Sequence, residues 1–398
     1  MTKRCLIIIQ ICMFLIFTAG CWDRKELNER AIWLATGWDV GEKKNIQLSG
    51  QIVVPSNMQS QSGSSAGAKE SFTISAEGKN VNDATQNLQE KLSRESFPGH
   101  RRVIFFGEEF AKLGVKHQID AVTRGSDVSL RTDAFVVKGA TALEALNLSD
   151  PLEKPPAVAA IKGHVQYGGR GDIALVNFLI AANSDGIRPS LPVVDITQIQ
   201  TGKSSGGYNS SDDILKIAGL AVFNQDLKLV GYLNNVENRA FLWIKGLLKK
   251  LTITIPFDDG NASLILTKIK SEIEPKLGRD NKIIINVKLS GKGALLENNT
   301  NVDLNDPKNV HKMRRAFEKE ENKRALKTIK KVQSKYGQDI FGFGDAIHLK
   351  YPHQWKELSK DWDKHFSEAE IIVKTNIEIR RIGMTGPSIL LKESEIHK

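Results

Sequence analysis

The residue whose setting defines its chemistry most closely is Cys21. It closes the run Phe17-Thr18-Ala19-Gly20-Cys21-Trp22-Asp23, behind a cationic pair (Lys3 and Arg4) and a mostly apolar stretch, Leu6 to Phe17, broken only by Gln10. That stretch is too short to cross a bilayer as a helix, which takes about 20 residues, but it fits the apolar core of a secretory signal. An ordinary signal continues with any residue after its small-residue cleavage site. Here a cysteine follows Ala19-Gly20, which resembles a bacterial lipobox: the thiol is alkylated with diacylglycerol, residues 1–20 are removed, and the new terminus is N-acylated. Thr18 departs from the leucine usual three residues before the cysteine. Two or more acyl chains hold a protein stably at a bilayer, at roughly 0.8 kcal/mol per buried methylene. The bland alternative is a plain signal that happens to end on a cysteine.

The remaining reactive side chains form no constellation. The three cysteines are Cys5, Cys12 and Cys21. Two leave with the leader and the third is acylated, so the mature body is expected to have no disulfide, no thiolate metal site and no thiol nucleophile. His348, His353 and His365 fall close in sequence, but at spacings that match no metal-binding helix. Gly168-Gly169-Arg170-Gly171-Asp172 precedes an apolar helix and could cradle an anion, yet lacks the strand and glycine spacing of a phosphate loop. The acidic pairs Glu108-Glu109, Asp212-Asp213 and Asp258-Asp259 lie in expected turns, where solvated surface is the default. His100-Arg101-Arg102 is the most concentrated basic spot, suited to lipid head groups, an acidic partner, or a plain strand edge. No metal site, no cofactor site and no catalytic set is therefore expected.

Those residues must be carried by a body of two or three domains, given 398 residues with 40% hydrophobic and 26% charged side chains. The formal charge of +10 falls to +8 without Lys3 and Arg4. A basic exported body is drawn to an anionic lipid surface; no nucleic-acid motif accompanies the charge. No later stretch approaches 18 consecutive apolar residues, so Cys21 is expected to be the only anchor.

Along the chain, Ala31–Val40 and Ile46–Val54 read as paired strands. Residues 56–68 read as a loop, Ser71–Ser75 as a strand, and the segment from Asn80 as a helix with Val81, Ala84, Leu88 and Leu92 on one face. Arg101–Phe106 reads as a buried strand, Glu108–Leu113 as a short helix, Leu130–Val137 as a strand and Thr141–Leu148 as a helix. Pro151, Pro155 and Pro156 suggest a subdomain break near 151–156. An apolar helix, Ile173–Ala182, and a strand, Val193–Ile199, complete an N-terminal α/β region over 21–200. Residues 201–213 read as a flexible linker to a C-terminal α+β domain over 214–390. There, Ile214–Phe223 and Leu227–Leu233 form a hairpin. A helix over Glu237–Lys249 precedes three strands: Leu251–Phe257, Ala262–Ile273 and Lys282–Leu289. Asp306-Pro307 opens a helix running to about Tyr336 and halted by Gly337, with an apolar stripe and a Lys/Arg-rich opposite face. That basic helix reads as a core helix with a wet side, or alternatively as a docking surface for another subunit. A helix over His353–Phe366 puts Trp355, Leu358, Trp362 and Phe366 on one side, and a strand over Glu370–Ile382 ends the fold. The fold class is α+β: a multi-domain mixed α/β body, its N-terminal region a mixed sheet with helices, its C-terminal part an antiparallel sheet with a long packed helix.

Three stretches agree in order with one family. Gly20-Cys21-Trp22-Asp23 with Glu26-Leu27-Asn28-Glu29-Arg30-Ala31, then Gly99 through Ala111, then Phe341-Gly342-Phe343-Gly344-Asp345 with Tyr351-Pro352, Trp355, Trp362 and Phe366, resemble the Ger(x)C lipoproteins, the C subunits of spore germinant receptors. The resemblance covers nearly the whole chain. It implies a lipid-anchored body of about three domains on the outer face of the spore inner membrane. It also implies a non-enzymatic role beside two integral membrane subunits of A and B type, in a receptor that senses nutrients and starts germination. Only Cys21 carries over a defined chemical role. The alternative is a tethered solute-binding lipoprotein, which calls for a cleft between two similar lobes. A third class, an exported cell-wall enzyme, would need clustered carboxylates.

Overall fold

The computed structural model describes residues 29–54, 71–125, 129–153, 155–169, 173–198, 213–278 and 282–382. Cys21, the 56–68 loop and nearly all of the 201–213 linker lie outside them.

The first sheet grows from Arg30–Val40 (β1). Beside it runs Ile46–Val53 (β2), antiparallel as the expected hairpin, and Ser71–Gly78 (β3) pairs antiparallel with β2 in turn. The helix Val81–Gln89 (α1) follows, capped by the Asn80 side chain on the Asp83 N–H. A short strand, Glu95–Phe97 (β4), pairs with the start of β1. Val103–Gly107 (β5) is buried at every position, as a strand covered on both faces must be. Glu108–Leu113 (α2) and Lys116–Arg124 (α3) lead to Asp133–Lys138 (β6), then to Ala142–Leu146 (α4), Pro156–Tyr167 (α5) and Leu175–Ala182 (α6). Ser190–Gln198 (β7), Asp213–Phe223 (β8) and Leu229–Leu233 (β9) complete a mixed sheet in the order β3-β2-β1-β5-β6-β7-β8-β9, parallel from β1 through β7. The predicted β8–β9 hairpin forms, and it hydrogen-bonds to β7 as part of this sheet. Ile104 and Phe106 face α1, α2, α3 and α6, while Val103 and Phe105 face α4 and α5.

The helix α5 is one the sequence reading missed. Pro155 and Pro156 do not break the chain there; Pro155 is its N-cap and Pro156 its first residue. Proline lacks only an N–H that the first turn leaves unpaired in any case.

The second sheet follows Asn235–Ile244 (α7). Leu251–Phe257 (β10), Gly260–Leu277 (β11) and Ile283–Asn298 (β12) pair antiparallel. Pro307–Lys331 (α8) begins at the predicted Asp306 cap and continues as a π-helical turn, Val332–Tyr336, until Gly337 turns left-handed at φ 63°. Phe343–Lys350 (α9), Pro352–Leu358 (α10) and Trp362–Glu368 (α11) then carry the chain back to Glu370–Arg381 (β13). Because that return spans the sheet, β13 pairs with β12 in parallel, and the second sheet is antiparallel only across its first three strands. The single helix expected over 353–366 is divided by a 3₁₀ turn at Ser359–Asp361.

The long helix holds the body together through more than its apolar stripe. Met313, Phe317, Ala325, Ile329 and Val332 are buried against the second sheet. Asn322 Oδ1 accepts from the Thr375 N–H (2.8 Å) and Glu318 Oε1 from the Ile377 N–H (3.0 Å), so α8 satisfies the free edge of β13. At its far end the Tyr336 hydroxyl accepts from the Tyr232 N–H (3.2 Å) and donates to the Tyr232 carbonyl (2.9 Å), closing the edge of β9 in the first sheet. Unpaired strand edges invite pairing with other chains. One helix and its final turn thus cover one edge of each sheet.

Candidate functional site

The site the structure builds is the junction where Asn183–Pro189, the connection from α6 to β7, meets the 337–345 stretch that opens α9. Asp339 lies at its centre with no exposed surface. Its Oδ1 accepts from the N–H groups of Phe341 (3.0 Å) and Gly342 (2.9 Å), and its Oδ2 from the Gly344 N–H (2.9 Å) and Trp362 Nε1 (3.1 Å). Burial pushes this carboxyl up to about 6; the donors and the Lys245 ammonium oppose the shift without cancelling it. The Asp339 carbonyl accepts from the Arg188 N–H at 2.7 Å.

Arg188 fastens the other side. Its guanidinium pairs with Asp363 at 2.9 Å and donates to the carbonyls of Ser184 (3.3 Å), Asp185 (3.2 Å) and Ile187 (3.2 Å). Ser184 Oγ donates to Asp345 Oδ1 at 2.8 Å. Backbones touch here: a Cβ on Gly344 would stand 2.6 Å from Gly186 Cα, and one on Gly186 would stand 2.5 Å from the Asp345 nitrogen. Only two glycines permit that approach. Behind them Phe341, Phe343 and Phe366 join Trp355 and Trp362 in one buried aromatic cluster, with the two indoles edge to face at 5.2 Å. The Phe-Gly-Phe-Gly-Asp motif thus locks the C-terminal helices onto the chain entering β7.

A cavity of about 570 Å³ opens beside the junction, lined by Phe178, Ile180, Ile187, Phe241, Lys245 and Asp345 among others. Its walls are mostly apolar, and its charged members Arg188, Lys245 and Asp345 already have partners. Such a site offers shape and apolar contact.

The other residues singled out by sequence are dispersed. Among the described residues no three His, Cys, Asp or Glu side chains gather at ligating distance. His348 stacks on Trp355 at 5.7 Å, and Trp355 and Trp362 are core, at 5% and 1% exposure. Gly168 ends α5, and residues 170–172 lie outside the described residues. Arg101 is buried, donating to Thr36 Oγ1 at 3.2 Å, and burial lowers its guanidinium to about 10; Arg102 is exposed. Glu108 and Glu109 sit in the first turn of α2, both paired with Lys112. Asp258 and Asp259 form the β10–β11 turn, where Asp259 accepts from the Asn301 N–H at 3.2 Å; Asp213 begins β8 and Asp212 is not described. Sequence reasoning missed Asp339, Arg188 and the Gly186–Gly344 contact. The doubled glycine in Phe341–Asp345 was the one local signal: Gly342 takes a left-handed backbone at φ 81°, and Gly344 admits the Gly186 backbone.

Two sheets joined by an edge-capping helix, with an aspartate-centred lock on a Phe-Gly-Phe-Gly-Asp loop, make up the body, and its sequence matches place the chain in the Ger(x)C family of spore germination proteins. Residues 23–196 match the family described as "Spore germination protein N-terminal domain", and residues 218–383 match "Spore germination B3/ GerAC like, C-terminal". Among curated relatives, spore germination protein KC of Bacillus subtilis (strain 168) is 30% identical, with 98% of each chain covered. Spore germination protein B3 of the same organism is 22% identical, over 94% of this chain and 96% of its own. The crystal structure of the GerBC protein superposes with a TM-score of 0.53 at 17% identity, covering 87% of this chain and 96% of that one, which establishes the shared fold. Among the described residues no helix is long and apolar enough to cross a membrane.

Proposed function

We propose that this protein is the lipid-anchored C subunit of a nutrient germinant receptor, held at the outer face of the spore inner membrane through acylated Cys21. In this reading it works beside two integral membrane subunits of A and B type and performs no catalysis. The observation that carries the proposal is the full-length match to spore germination proteins joined to a cysteine in lipobox position at the mature start. The junction adds physical sense. Its charged groups Arg188, Asp339, Asp345 and Asp363 are engaged in fastening the C-terminal helices to the chain entering β7, which suits a part that holds position. Cys21→Ala should leave the protein unprocessed or shed from membranes. Recovery of that variant with membranes, at full yield and correctly cut, would overturn the anchor. The solute-binding alternative calls for a cleft between similar lobes, and the two sheets differ in size, strand order and connectivity.

A further inference from the structure

The solvent face of α8 is a ridge of one sign. Lys308, Arg315, Lys319, Lys323, Lys327 and Lys330 are exposed and form no ion pair with a described residue. Lys312 lies on the same line, with Asp258 at 3.6 Å and the Phe257 ring 5.8 Å below it. From Lys308 to Lys330 the ridge runs about 33 Å at 1.5 Å per residue. The helix does contain acids, but each has a partner. Glu318 holds the β13 edge, while Glu320 and Glu321 are taken by Arg324 at 3.1 and 2.7 Å. The lower part of the ridge borders a groove of about 1070 Å³, where Lys270 of β11 and Lys374 of β13 add two more cations with no ion pair to a described residue, beside Glu272, which Lys288 engages at 3.5 Å.

An ordinary wet face alternates charges, because Glu and Lys four residues apart attract. Here Lys308/Lys312, Arg315/Lys319, Lys319/Lys323 and Lys323/Lys327 repel at that spacing. A helix that accepts such repulsion along its whole solvent face is matched to something anionic.

We infer that this ridge is a docking surface for anionic phospholipid head groups. Charge complementarity is the argument, and the choice of lipid over protein follows from what the ridge lacks. No large apolar side chain is exposed between Pro307 and Tyr336. Protein interfaces centre on buried aromatic or apolar anchors and are depleted in lysine, whereas a head-group surface is recognised by field alone. The inference rests on the membrane-surface placement proposed above and assigns the face of the body that meets the lipid. Its failure leaves the Cys21 tether standing, and failure of the tether leaves the ridge testable on unacylated chain.

The test uses the chain from position 21 with Cys21→Ser, which carries no lipid, and vesicles of phosphatidylcholine with or without roughly 30% phosphatidylglycerol. Binding is expected only to the anionic vesicles, and is expected to fade as salt rises from about 0.05 M to about 0.5 M. The variant Lys319→Gln/Lys323→Gln/Lys327→Gln should bind about a hundredfold more weakly. It should melt no lower than the parent, since the replaced side chains are exposed and mutually repulsive. The control Lys116→Gln/Lys249→Gln/Lys356→Gln removes equal charge from exposed positions elsewhere and should bind like the parent. Equal weakening by both variants would reduce the effect to net charge and overturn the assignment. Displacement by polyglutamate at matched charge would assign the ridge to acidic polypeptide, and displacement by glycerol phosphate to a free anion; either result overturns the lipid surface.

Discussion

Replacing Asp339 by asparagine tests the logic of the junction with almost no change of shape. The carboxylate receives four donors, two on each oxygen, at 2.9 to 3.1 Å. An amide can accept at only one end. Its NH2 then faces two N–H groups, leaving those and its own protons stranded in a fully buried site. Three stranded groups at about 2 kcal/mol each cost about 6 kcal/mol. Against this, the amide removes a buried charge whose pKa rises from 3.8 to about 6, a relief of about 3 kcal/mol. The net expectation is destabilisation by about 3 kcal/mol at pH 7, read as a lower denaturation midpoint by tryptophan fluorescence, with Trp362 as a direct reporter. The sign of the pH dependence follows. Asp339 favours its proton in the fold, so its contribution is largest below 3.8 and is lost as pH rises through about 6. The asparagine variant lacks that dependence, so the gap between the two proteins should widen as pH falls from 7 towards 4. A variant as stable as the parent at pH 7 would refute the reasoning, because charge burial would then outweigh the four donors.

Gly344→Ala places a methyl 2.6 Å from Gly186 backbone and 2.7 Å from the Trp362 ring; it should cost about 1–3 kcal/mol and speed amide exchange across 183–188. Asn322→Ala strands the Thr375 N–H on the β13 edge, with an expected loss of about 1–2 kcal/mol and concentration-dependent association visible by light scattering. His164 is buried with neither ring nitrogen partnered among the described residues, and burial lowers it to about 4. The unfolded chain binds that proton first, so this contribution is intact above about 6.5 and lost as pH falls towards 4; His164→Leu should flatten that part of the stability profile.

The elements were legible where local chemistry chose them. Asn80 and Asp306 caps, the alternation of β10, the all-apolar β5 and the Gly337 stop each depend on neighbours within a few residues. The prolines before α5 misled, because the same residue type opens a helix or interrupts one according to which N–H is otherwise needed. The parallel sense of β13 depends on a return path of three helices and was beyond any local pattern.

What the sequence alone determined is therefore the family, the type of most elements though not of α5, and the basic character of α8, all written in spacing along one chain. Tertiary structure alone decided that Asp339 meets Trp362, that Arg188 reaches Asp363, and that Asn322, Glu318 and Tyr336 are spent on strand edges. It also decided which way the charges of α8 face. The helix carries both signs: the β13 edge takes Glu318, Arg324 takes Glu320 and Glu321, and the cations of the opposite face are left to solvent. The physical reason is common to all of these: a polar side chain is assigned by the unsatisfied backbone group or buried charge it must answer, and that partner exists only once distant segments are in contact.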